Sequence, residues 1–167
     1  ALRRAGPELR ASLRELPQQR SLMAFLGSSM LYRDALNGFY AFGGIYAAGV
    51  LDWSITQIGI FGIIAAISAA FFTWVGGIAD SARGPKPVIM ASMWVLIAVC
   101  LVVAGMSREA FFGLPLPAGS ALPDIVFYLC GCAIGAAGGT LQAASRTMMV
   151  FHTTPDRATE AFGLYAL

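Results

Sequence analysis

Two long uncharged runs joined by a short polar stretch constrain this chain more than any other feature. Ile58 to Ile78 carries no charge, and neither does Val88 to Met106. Gly76-Gly77-Ile78-Ala79-Asp80-Ser81-Ala82-Arg83-Gly84-Pro85-Lys86-Pro87 links them, with one acid, two cations, three glycines and two prolines. A helix needs about 20 apolar residues to cross the hydrocarbon core of a bilayer, so the polar stretch reads as a turn between two spans. Composition agrees. The chain is 57% hydrophobic and 12% charged, against about 25% charged in soluble domains, and its mean hydropathy is +0.71. The expected class is all-α, with polytopic transmembrane helices. A soluble protein would have to bury three or more such runs at once.

The net charge of +2 is too small to imply a nucleic-acid partner. Cys100, Cys130 and Cys132 lie in apolar runs with no His or carboxylate at ligand spacing. They read as small apolar fillers, and neither a metal nor a cofactor is expected. The polar, arginine-rich start does not resemble a signal peptide. The first residue is not Met, and the chain stops within the apolar Gly163-Leu164-Tyr165-Ala166-Leu167, so a fragment of a longer protein is expected.

Residues 1–21 hold Arg3, Arg4, Arg10, Arg14 and Arg20, with Leu9, Leu13 and Leu16 at helical spacing. They suit an amphipathic surface helix or a solvated linker. Residues 22–167 form the transmembrane part. Spans are expected at about 22–51, 56–78, 88–106 and 124–151, with a truncated fifth at 159–167. Asp52-Trp53-Ser54 makes a tight turn with an interfacial Trp. Three prolines keep 107–123 from being a helix. Arg83, Lys86, Arg157 and the basic N-terminus fall on one side. Arg108, beside Glu109, falls with Asp52 on the other. The positive-inside rule makes the first side cytoplasmic.

Small residues mark packing faces. Gly131, Gly135 and Gly139 recur every fourth residue, and Gly59, Gly62, Ala66, Ala70, Thr73 and Gly77 form a second small stripe. Such stripes let helices approach closely. The costly residues are Asp34 and Asn37 in the first span and Gln142 and Arg146 in the fourth. Ionisable groups at membrane depth are paired or functional. Arg33 points about 100° away from Asp34 on a helix, so Arg33, Arg146 and an unseen helix all remain candidate partners.

Gly76-x-x-x-Asp80-x-x-Arg83-Gly84-x-Lys86 resembles the signature loop of the major facilitator superfamily. It departs from that pattern in having Ser81-Ala82 where the first Arg is expected and Pro85 in place of a basic residue. Met30 to Gly49, with Gly138 to Arg146 and Glu160 to Leu167, resembles the vacuole-effluxer-like branch (autophagy-linked amino-acid effluxers) in its bacterial form. The resemblance implies part of a C-terminal six-helix half, preceded by the N-terminal half of the same chain. It implies a bacterial inner-membrane location with the N-terminus of this segment cytoplasmic. It also implies alternating-access transport of a small solute, amino acids being the best-known substrates, with protons as a candidate coupling ion. Asp34, Asn37, Gln142 and Arg146 are then expected on the substrate path, and Gly76, Asp80, Arg83, Gly84 and Lys86 at a cytoplasmic gate.

A non-transporting membrane assembly or scaffold protein would use the glycine stripes equally well, but has no need of Asp34 and Arg146. An enzyme is not expected. There is no HExxH, no GxSxG and no pair of acids at catalytic spacing. His152, beside an interfacial turn, reads as an amphipathic ring at a helix end.

Overall fold

The computed structural model describes residues 20–153, 162, 163 and 165. Four helices account for most of them: α1 (Arg20–Val50), α2 (Ile55–Arg83), α3 (Pro85–Ala104) and α4 (Leu122–Phe151). Of these, α2, α3 and α4 are long and apolar enough to cross a membrane. α1 matches them in length, but Arg33, Asp34 and Asn37 interrupt its apolar run, and it is not among the three. The expected amphipathic segment lies outside the described residues except for Arg20 and Ser21, and so does most of the expected fifth span.

The polar stretch differs from expectation. α2 continues through Gly76 and Asp80 to Arg83, and α3 begins at Pro85, so Gly84 alone separates them. Gly84 has φ +80° and ψ 166°, a conformation essentially confined to glycine. Its N–H still closes the last turn of α2 on the Asp80 carbonyl at 2.8 Å. Nothing between Gly77 and Gly84 lacks an amide hydrogen, so the helix runs on until the backbone turns. Pro85 then fits the first helical position, where its missing N–H costs nothing.

At the opposite end of α2 the boundary is fixed by a capping box. Ser54 Oγ accepts from the Gln57 amide, and Gln57 Oε1 accepts from the Ser54 amide at 2.9 Å. The preceding turn places Asp52 at φ +56° and returns the Trp53 amide to the Ala47 carbonyl at 2.9 Å. The loop between α3 and α4 is not helical, as its prolines led us to expect, and it holds a short hairpin. β1 (Ala110–Phe111) and β2 (Leu114–Pro115) pair antiparallel, joined by Phe112 and Gly113, both at positive φ. That is the geometry of a tight two-residue hairpin. Pro115 is tolerated because a two-stranded ladder has only edges. α4 starts at Leu122, two residues before the expected span, with Pro123 in its first turn.

The described residues divide into two compact units, one from 20–35 and 146–153 with 162, 163 and 165, the other Leu36–Ser145. In the first, Leu22, Phe25, Ser29 and Tyr32 form the buried face of α1, and Met149 of α4 is also buried. Phe25 stacks on His152 and on Tyr165, at ring separations of 5.5 and 6.2 Å. In the second, Ala47, Leu51, Trp53, Met106 and Phe127 make the hydrophobic centre. Tyr46 stacks on Phe127 at 5.2 Å and donates its hydroxyl to the Met106 carbonyl at 2.5 Å.

The glycine stripe of α4 admits a close helix approach, and the helix that makes it is α2. A Cβ at Gly131 would collide with Phe61, one at Gly135 with the Ala65 carbonyl, and one at Gly139 would stand 2.5 Å from Thr73 Oγ1. Contacts advance in the same direction along both helices, so α2 and α4 run parallel. Thr140 Oγ1 donates to the Phe72 carbonyl at 2.9 Å, and Gly76 leaves room for the Thr140 side chain. The α2 stripe expected from small residues alone is mostly displaced. Gly59, Gly62 and Gly77 have open space where a Cβ would be. The helix instead packs through Phe61, Ala65, Ala69, Thr73 and Gly76. Ring size does not exclude Phe61, because Gly131 supplies the space opposite.

Candidate functional site

The four residues expected on a substrate path are all exposed. Asp34 and Arg146 belong to the first unit, Asn37 and Gln142 to the second. Among the described residues the one ion pair is Arg108–Asp124, so Asp34 pairs with neither Arg33 nor Arg146. Arg33 has a different partner. Its guanidinium donates to the Tyr165 carbonyl and lies 5.0 Å from the centre of the Tyr165 ring, a cation–π contact. That engagement leaves the Asp34 carboxylate without its sequence neighbour. No hydrogen bond joins Asp34 to Arg146, or Asn37 to Gln142.

Their exposure follows from which faces the small residues claim. On α4, Gly131 and Gly135 are buried and Gly139 partly so. Gly138, one residue off the stripe, faces α1. A Cβ there would stand 2.7 Å from Tyr40 Oη and 3.2 Å from Leu36. Gln142 and Arg146 come after these contacts in the chain and are exposed. On α1 the buried positions are Leu36 and Ala47 in the second unit, and Asn37 lies off that line.

The residues expected at a gate are brought together at the α2–α3 junction. Gly76, Asp80 and Arg83 fall on one face of α2 by helical spacing, and Lys86 sits in the first turn of α3. Asp80 Oδ1 is buried and has no hydrogen-bond partner among the described residues. Arg83 and Lys86 are exposed. A groove of about 470 Å³ opens beside this junction, walled by Phe72, Val75 and Ala79 of α2, Val88 and Val95 of α3, and Ala136 of α4. Arg83 is its one charged lining residue. Thr140, also in the lining, has its hydroxyl committed to Phe72.

Sequence reasoning missed a second polar cluster in the Leu36–Ser145 unit. Asp124 Oδ1 accepts from Arg108 at 2.7 Å and from Trp53 Nε1 at 2.6 Å. Trp53 is buried between Phe61, Phe127 and Tyr128, with ring centres 4.5–6.0 Å away. The cluster ties together the α1–α2 turn, the 107–121 loop and the start of α4. One signal was available: Asp124 and Arg108 are the charges that bound the loop. The indole contact was not legible, because 71 residues separate Trp53 from Asp124.

No family model, no curated protein and no solved structure matches this chain.

Proposed function

We propose that the chain is part of a membrane transporter that moves a small solute, with amino acids the first class to test, by alternating access. The observation that supports this reading is the uncovered state of Asp34, Asn37, Gln142 and Arg146. Small and apolar residues of the same helices take the packing contacts, while these four polar side chains remain outside them. An ionisable group at membrane depth is expensive unless it faces a partner or water. Asp34 and Arg146 offer opposite charges, which suit the ammonium and carboxylate ends of an amino acid. A protonatable Asp34 is also a site for a coupling proton. Asp80, Arg83 and Lys86 are proposed to act at a cytoplasmic gate, where solute binding shifts a conformational balance.

The experiment is a solute screen on the full-length protein in proteoliposomes, with and without a pH gradient. Transport that Asp34→Asn and Arg146→Ala each abolish supports the reading. Normal transport by both variants removes the site assignment.

A membrane scaffold is the second reading. Ile60, Ile63, Ile67, Phe71 and Trp74 of α2 are all exposed, an apolar face that a partner helix would cover as well as lipid. Absence of transport for every solute, with assembly intact after Asp34 and Arg146 are made apolar, favours the scaffold.

A further inference from the structure

We propose that the groove between α2, α3 and α4 seats an acyl chain of an anionic phospholipid, with the lipid phosphate held at Arg83. The groove is a slot in three helices that are each apolar and long enough to cross a bilayer. Its walls are Phe72, Val75, Val88 and Val95, and its one charge, Arg83, is at the α2–α3 junction. An apolar wall by itself does not select an occupant, since lipid tails are as apolar as the side chains they touch. Selection comes from the charged end. Arg83 is exposed, and it makes no ion pair among the described residues.

Three features favour an anionic head over a zwitterionic one. Lys86, also exposed, is three residues beyond Arg83 on the other side of the Gly84 break. Asp80, the one acid of the stretch, is half-buried with Oδ1 shielded from solvent, and the two exposed cations outnumber it. Pro87 and Val88 of the first turn of α3 line the groove beside Arg83, and a helix start carries partial positive charge. Basic residues at the end of a membrane helix attract anionic headgroups, and a guanidinium binds phosphate oxygens in a fixed two-pronged geometry. The inference needs only that the helices lie in a bilayer. It stands whether the protein transports a solute or not.

Native mass spectrometry of the full-length protein in neutral detergent, with equimolar phosphatidylglycerol and phosphatidylcholine, tests it. The wild type should retain phosphatidylglycerol preferentially. Arg83→Gln should lower that retention about fivefold, the usual share of one cation at a membrane surface, and leave phosphatidylcholine unchanged. Arg83→Lys should keep the preference. Ala91→Phe, which fills the groove from an exposed lining position, should lower retention of both lipids. Equal retention of the two lipids by the wild type overturns the proposal, as does an unchanged preference in Arg83→Gln. Displacement of the lipid by millimolar glycerol phosphate would instead assign Arg83 to free phosphate esters. Each variant is compared at unchanged helical circular dichroism.

Discussion

The indole N–H of Trp53 donates to Asp124 Oδ1 at 2.6 Å. Trp53 is 5% exposed, so this is the bond that satisfies a buried donor, whereas the Arg108 half of the cluster is 38% exposed on the arginine side chain. Exposed ion pairs contribute little, but a buried donor left without a partner costs about 1–3 kcal/mol. Asp124→Ala should therefore destabilise the protein by about that amount, and Arg108→Ala by well under half as much. Thermal denaturation in detergent, followed by circular dichroism, distinguishes the two. Equal losses would mean that the ion pair, not the indole bond, carries the cluster.

The two kinds of helical glycine predict opposite signs for one substitution. A methyl group at Gly135 would meet the Ala65 carbonyl, which is backbone and cannot move aside. Gly135→Ala should cost about 1–3 kcal/mol, the usual range for overpacking. Gly62 has open space at the same position, and alanine there should gain about 0.5–1 kcal/mol from helix propensity alone. Paired melting curves check both. A gain at Gly135 would show that α2 and α4 do not approach through the glycine stripe.

Gly84 is the hinge between α2 and α3, and its backbone conformation is the reason. At φ +80° and ψ 166°, a side chain should cost about 1–3 kcal/mol. Gly84→Ala should lower stability by that amount, although nothing lies near the added methyl group. The control is Lys86→Ala, an exposed position two residues on, where the change should stay within about 0.5 kcal/mol. Denaturant titration of both variants measures the difference, and a neutral Gly84→Ala would place the break elsewhere.

Polar residues that face an aqueous path differ from those that face lipid in their chemistry with water-soluble reagents. In a Cys100→Ser background, which removes the exposed native thiol, Asp34→Cys and Arg146→Cys should react with a charged maleimide. Ile67→Cys and Trp74→Cys, on an apolar exposed face of α2, should not, because a thiolate does not form in hydrocarbon. Labelling in right-side-out and inverted vesicles also reports which side admits the reagent. Inert cysteines at both 34 and 146 would remove them from any solute path.

Particular residues show how far the chain could be read before folding. The uncharged runs marked α2, α3 and α4 as membrane-length helices, because length and hydropathy are properties of each segment alone. The stripe Gly131-Gly135-Gly139 was legible for the same reason: a four-residue spacing puts small residues on one face whatever the partner. Its complement on α2 was not. Phe61 fits against Gly131 although it is large, so the packing face depends on pairs of residues and not on small size in one helix. The same holds for the Arg33 contact with Tyr165 and for the Trp53–Asp124 bond, each made between residues far apart in the chain. Gly84 lies between the two cases. The polar stretch around it signalled a turn, but only the backbone angles showed that one residue suffices and that Asp80 and Arg83 stay helical. Sequence alone determined the helices and where polar residues interrupt them. Tertiary structure decided which faces those helices present to each other, because that choice rests on shape matched across a contact.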